Sequence, residues 1–249
     1  MMTWDYIMGL VASIALFLPI TFLFTFRLAG YRTFPALLAY YILLVADNMF
    51  SQGSIKVGPE FTRYFSLGNN LLDAPLMLFF LTYFCNSPAF AKRIKIYILL
   101  FMVFEMSTVL YVGFNKQSVI IIMAPALLSI LIFSLYFFIR QTKLAIIYKK
   151  AVGKALIASS LLFAYGCYSI IYLMFYVFNN PDKTGTFVIY FLVTTFAALL
   201  MSVGIIVEKT RVQKLEELKR TRKELSIVYN STKPAVTLRA IRTEKENYN

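Results

Sequence analysis

The stretch Gly68-Asn69-Asn70-Leu71-Leu72-Asp73-Ala74-Pro75 puts two amides, a carboxylate and a proline into the start of a long apolar run. At helical spacing Asn69, Asn70 and Asp73 lie three and four residues apart and share one face. An ionisable side chain in hydrocarbon costs about 2.5–3.5 kcal/mol on insertion scales, so it is expected to face a partner or a cavity. Two more carboxylates lie inside apolar runs, Asp47 and Glu105, the first followed by Asn48. Counted from the outer ends of their runs, the three acids sit three, six and seven residues deep, which is about 5–10 Å. Ser107 and Thr108 add hydroxyls at similar depth. This layer predicts an outward-facing polar pocket among the second, third and fourth apolar runs. The competing structural reading has Asp47 reaching the interface and Asp73 pairing with Arg63 as packing glue.

A second pattern is a row of phenols. Tyr165, Tyr168, Tyr172 and Tyr176 recur at spacings of 3, 4 and 4, which is one stripe of a helix. Tyr190 and Thr194, four apart in the last apolar run, are placed to face that stripe. Tyr165, Tyr168, Tyr172 and Tyr190 join the candidate pocket, with interhelical hydrogen bonding as the equally weighted alternative. Tyr176 reads as an interfacial belt residue.

Much chemistry is excluded. The chain has no histidine, so imidazole acid–base catalysis, histidine metal ligation and an imidazole pH switch are absent. Its two cysteines, Cys85 and Cys167, make neither a disulfide framework nor a zinc site. The last apolar run contains no lysine, which rules out a retinal Schiff base there. A membrane aspartate pair can act as acid and base. Here no nucleophile elbow and no phosphate-cradling glycine loop accompanies the acids. The expectation is a non-enzyme with no metal, no cofactor and no nucleic-acid partner.

The elements that must position these groups follow from composition. Of 249 residues, 59% are apolar and 15% charged, and mean hydropathy is +0.70. Seven apolar runs, 6–26, 34–50, 67–85, 96–112, 119–139, 155–178 and 187–207, are each long enough to cross a hydrocarbon core of about 30 Å. The fold class is an all-α polytopic membrane protein. Of 25 Lys and Arg residues, 21 fall in alternate loops and the tail; the other side holds Lys56, Arg63, Lys116 and Lys183. The positive-inside rule then predicts seven transmembrane helices with the N-terminus outside and the C-terminus cytoplasmic. Residues 1–208 form the membrane domain. Residues 209–229 form a basic amphipathic helix, with Val212, Leu215, Leu218 and Leu225 as its apolar stripe, and 230–249 a disordered tail.

A polar pocket facing outside, no catalytic set and a helical tail inside predict a sensor or receptor-like module. Its readout would pass through the tail to a cytoplasmic signalling partner or a second copy of the chain. The basic tail helix also suits the anionic inner leaflet of the bilayer. A small-solute or ion transporter using the membrane carboxylates is the runner-up, and an accessory membrane subunit the third reading. Short loops and cysteine usage suit a bacterial cytoplasmic membrane.

Overall fold

The structure, a computed structural model, describes residues 4–148, 151–177 and 183–231. Lys149, Lys150 and the tail from residue 232 onward, which the sequence reading makes disordered, lie outside the described residues. The described residues form α1 (Trp4–Thr25), α2 (Phe34–Ser51), α3 (Pro59–Leu81), α4 (Pro88–Val112), α5 (Lys116–Tyr148), α6 (Val152–Tyr172) and α7 (Lys183–Ser231). A 3-10 turn, Thr82–Phe84, follows α3, and a π-helical turn, Leu173–Val177, follows α6.

Several helices outrun the apolar segments that announce them. α3 and α4 begin at Pro59 and Pro88, well before 67 and 96, because proline is pre-organised for the first helical turn and lacks the N–H left orphaned there. α5 runs on to Tyr148, past 139. An apolar run marks only the part of a helix suited to hydrocarbon, and charged turns at its ends remain helical in the interface.

Among the described residues six helices are long and apolar enough to cross a membrane: α1, α2, α4, α5, α6 and α7. By length and composition the chain is therefore a multi-pass α-helical membrane protein. α3 is long enough at 23 residues, but the polar stretch around Asp73 lowers its hydropathy below the others.

The chain divides into two units, Met1–Lys209 and Thr210–Asn249. In the first, α1 packs on α2, α2 on α3, α3 on α4 and α5, and α5 on α6. Leu16, Phe34, Leu37, Phe80, Phe84, Phe137 and Ile157 form its fully buried core. α6 and α7 approach through glycine. A Cβ on Gly153 would lie 2.5 Å from the Glu208 backbone nitrogen, and one on Gly204 would lie 2.7 Å from Ile157 Cγ1. Small residues at such crossings let helix backbones close on one another where lipid offers no hydrophobic drive. Leu99, Leu100, Val103, Met106 and Leu110 stand exposed on the outer side of α4, an apolar surface that hydrocarbon satisfies and water does not. In the second unit Val212 is buried, Leu215 half-buried, and Leu218 and Leu225 exposed.

Candidate functional site

Asp73 and Tyr165 meet. The Tyr165 hydroxyl donates to Asp73 Oδ1 at 2.5 Å, tying α6 to α3. Both owe their position to local spacing. Asp73 lies one helical turn before the buried Met77 on α3, and Tyr165 one turn after the buried Leu161 on α6, so each is carried on the buried side of its helix. Pro75, two residues beyond Asp73, is buried inside α3 and supplies no N–H to the carbonyl one turn back.

A tyrosine cluster surrounds this bond. Tyr40 on α2 brings its hydroxyl up to that of Tyr165 and lies within electrostatic reach of Asp73. The Tyr168 hydroxyl shares a 2.9 Å hydrogen bond with Thr194 on α7. The rings of Tyr165 and Tyr168 stand 5.8 Å apart and nearly perpendicular at 81°. Tyr40 and Tyr41 make a second such pair at 5.2 Å and 78°, and Tyr190 packs 5.5 Å from Tyr168. Between them is a cleft lined by Tyr40, Tyr41, Met77, Tyr165, Tyr168 and Thr194 among others. About 10 Å³ of it is open to the centre of a water-sized molecule, which is room for about one water.

The phenol row of α6 serves several neighbours. Tyr165 turns to α3, Tyr168 to α7, and Tyr172 donates to the Ile120 carbonyl of α5 at 3.0 Å. A stripe one helix long thereby fastens three others.

The remaining candidates spread out from this centre. The Asp47 carboxylate accepts from Ser66 of α3 at 3.5 Å through Oδ2, with Asn69 beside it, while its buried Oδ1 has no hydrogen-bond partner. Asn48 turns away from α3 and α4 toward α1, donating to Ser13 Oγ at 2.8 Å and accepting from Gln52 at 2.7 Å. Its place in a pocket of helices 2, 3 and 4 is corrected accordingly: the next residue on a helix points about 100° away, and Asn48 follows that rotation from Asp47. Asn70 returns its amide to the Ser66 carbonyl of its own helix at 2.8 Å. Ser107 and Thr108 also bond their own helix, to Val103 and Phe104, on the exposed side of α4. Glu105 is the inward carboxylate of α4, only 6% exposed, within electrostatic range of Asp73, and its Oε1 accepts no hydrogen bond. The polar groups that meet thus come from α2, α3, α6 and α7, with Glu105 of α4 nearby.

One cluster escaped sequence reasoning. Lys154 and Glu208, at the ends of apolar runs, are both buried in the first unit, 7% and 0% exposed. The Tyr83 hydroxyl donates to Glu208 Oε1. The Lys154 ammonium sits 4.4 Å from the centre of the Tyr83 ring and donates to the Tyr83 carbonyl at 3.4 Å. The available signal was Glu208 itself, four residues after Gly204 and so on the same helical face as a close crossing. Among the described residues no group of three or more Cys, Asp or Glu side chains is gathered to hold a metal ion.

No protein-family model, curated protein or solved structure matches the chain. The site itself carries the functional argument.

Proposed function

We propose that the chain is a non-enzymatic membrane sensor module with seven crossings, its N-terminus outside and its C-terminus in the cytoplasm of a bacterial cell. The ligand site is the Asp73 and tyrosine cluster, and the cytoplasmic readout passes through α7 and the tail to a partner. The observation that supports this reading is the pair of bonds Tyr165 to Asp73 and Tyr168 to Thr194, which makes α6 the common partner of α3 and α7. A ligand that competes for either hydroxyl alters the packing of the helix that carries the tail. Packed helices answer such a change by discrete shifts.

The test is crosslinking in the membrane followed by mass spectrometry of what the tail touches, with the intact chain compared with one truncated after Lys209. A specific cytoplasmic protein, or a tail-to-tail homodimer, lost on truncation is the expected result. A tail that touches lipid alone sinks the sensor reading.

The transporter reading keeps one specific observation in its favour. Buried carboxylate oxygens of Asp47 and Glu105 without hydrogen-bond partners are what a proton or cation relay needs. Against it, Asp47, Asp73 and Glu105 lie toward one end of their apolar runs, and the buried acid toward the other end, Glu208, is engaged by Tyr83. Solute flux that survives truncation after Lys209 and stops with Asp73→Asn would favour it.

A further inference from the structure

We infer that the tyrosine-lined cleft between α2, α3, α6 and α7 binds a small ammonium cation, ammonium itself or the head of a primary amine. The inference deepens the ligand-site reading above and rests on it.

Size is the first argument. The cleft admits about one water, and an ammonium group is of similar size. Its lining includes four tyrosine rings, in the pairs Tyr40–Tyr41 and Tyr165–Tyr168. Ring faces attract cations, and a desolvated site strengthens that attraction.

Charge is the second argument. The cleft lining contains no Lys, Arg, Asp or Glu of its own, while Asp73 lies directly behind the Tyr165 hydroxyl. No basic side chain among the described residues is paired with Asp73. The field in the cleft is therefore negative, and an anion is repelled by carboxylate and ring faces together.

Hydrogen bonding is the third. Tyr165 gives its proton to Asp73 and meets the Tyr40 hydroxyl at its oxygen, which leaves one lone pair to accept and makes it a better acceptor. One of the Tyr168 and Thr194 hydroxyls donates to the other, and the oxygens keep further lone pairs beside the cleft. An ammonium group has only donors to offer, so it matches a wall of acceptors better than water does.

The experiment is thermal unfolding of the full chain in detergent with methylammonium chloride, against sodium chloride at equal ionic strength and against methanol as the neutral isostere. A ligand that binds the folded state raises the unfolding midpoint with concentration. A rise with methylammonium and with neither control is the expected result. Tyr40→Phe keeps the ring and should keep the rise. Tyr40→Leu removes it and should weaken binding roughly tenfold or more. Equal rises in sodium chloride or methanol, or an undiminished rise in Tyr40→Leu, overturn the inference. Should Tyr40→Leu fail to fold, Tyr41→Phe and Tyr41→Leu, on the other ring of that pair, provide the same comparison. The same samples separate the two proposals. Methylammonium that binds but leaves tail crosslinks unchanged would uphold the site and reject the sensor. Tail crosslinks without methylammonium binding would do the reverse.

Discussion

Tyr165 and Asp73 are 92 residues apart in sequence and 2.5 Å apart in space, the hydroxyl of one on Oδ1 of the other. Tyr165 is 1% exposed, so its hydroxyl cannot exchange this bond for one to bulk water without moving a helix, while Asp73 is half-buried. The two obvious substitutions are accordingly unequal. Tyr165→Phe keeps the ring and strands the carboxylate, whereas Asp73→Asn keeps an acceptor oxygen for the phenol.

Tyr165→Phe should lower stability by about 1–3 kcal/mol, the penalty for a buried polar group left unsatisfied. Asp73→Asn should cost less. Combined, they should cost less than the sum of the two, because the second change removes the charge the first one stranded. Denaturant unfolding of the four proteins in detergent measures this. Strict additivity would mean the bond contributes nothing.

How much of this could be read from sequence depends on the kind of interaction. Asp73, Tyr165, Tyr168 and Thr194 stand out because a polar group in an apolar run needs a reason, and helical spacing tells which residues share a face. Which helix each would meet is not local information. The spacing that aligned the phenols of α6 is equally compatible with one pocket and with the three separate partners found. Lys154 and Glu208 were hidden for a different reason. At the ends of apolar runs, charge is the expected signature of topology, so a buried charge there looks like a solvated one. Gly153 and Gly204 carry the corresponding packing information, but a lone glycine in a helix has no sequence signature that distinguishes a close crossing from a tolerated gap.

The glycine contact at α6 and α7 makes a sharp test. A methyl at Gly153 meets the backbone of Glu208, which cannot rotate away as a side chain would. Gly153→Ala should destabilise the chain by about 1–3 kcal/mol, the usual range for overpacking. Gly30→Ala, where a Cβ meets nothing within 4 Å, is the control and should change little. Unfolding midpoints that move equally for the two would show that α6 and α7 do not approach at Gly153.

Buried charge around Tyr83 should be intolerant of partial removal. Lys154 and Glu208 both meet the same aromatic side chain, one at its ring and one at its hydroxyl. Taking away one member of a buried charged set costs about 3–5 kcal/mol, because the rest stays desolvated. Glu208→Ala should therefore fall in that range. Tyr83→Phe, which removes one hydrogen bond and keeps the ring under Lys154, should cost about 1–3 kcal/mol. The order of the two in denaturant unfolding is the measurement, and Tyr83→Phe proving the costlier would show that the hydroxyl matters more than the charge.

Whether α3 crosses the membrane decides the topology. Its 23 residues rise about 34 Å, enough for a hydrocarbon core of about 30 Å, yet it is the most polar of the long helices of the first unit. The exposed Lys56 precedes it and the exposed Lys92 follows it, so a crossing puts the two on opposite faces. With Cys85 and Cys167 replaced by serine, single cysteines at Lys56→Cys and Lys92→Cys can be labelled in intact cells with a membrane-impermeant maleimide. A crossing α3 predicts labelling of Lys56→Cys from outside and of Lys92→Cys only after permeabilisation. Identical accessibility of the two would make α3 a helix that enters and leaves by the same face. Asp73 would then sit on a re-entrant element, and the seven-crossing arrangement with its outward-facing site would fall with it.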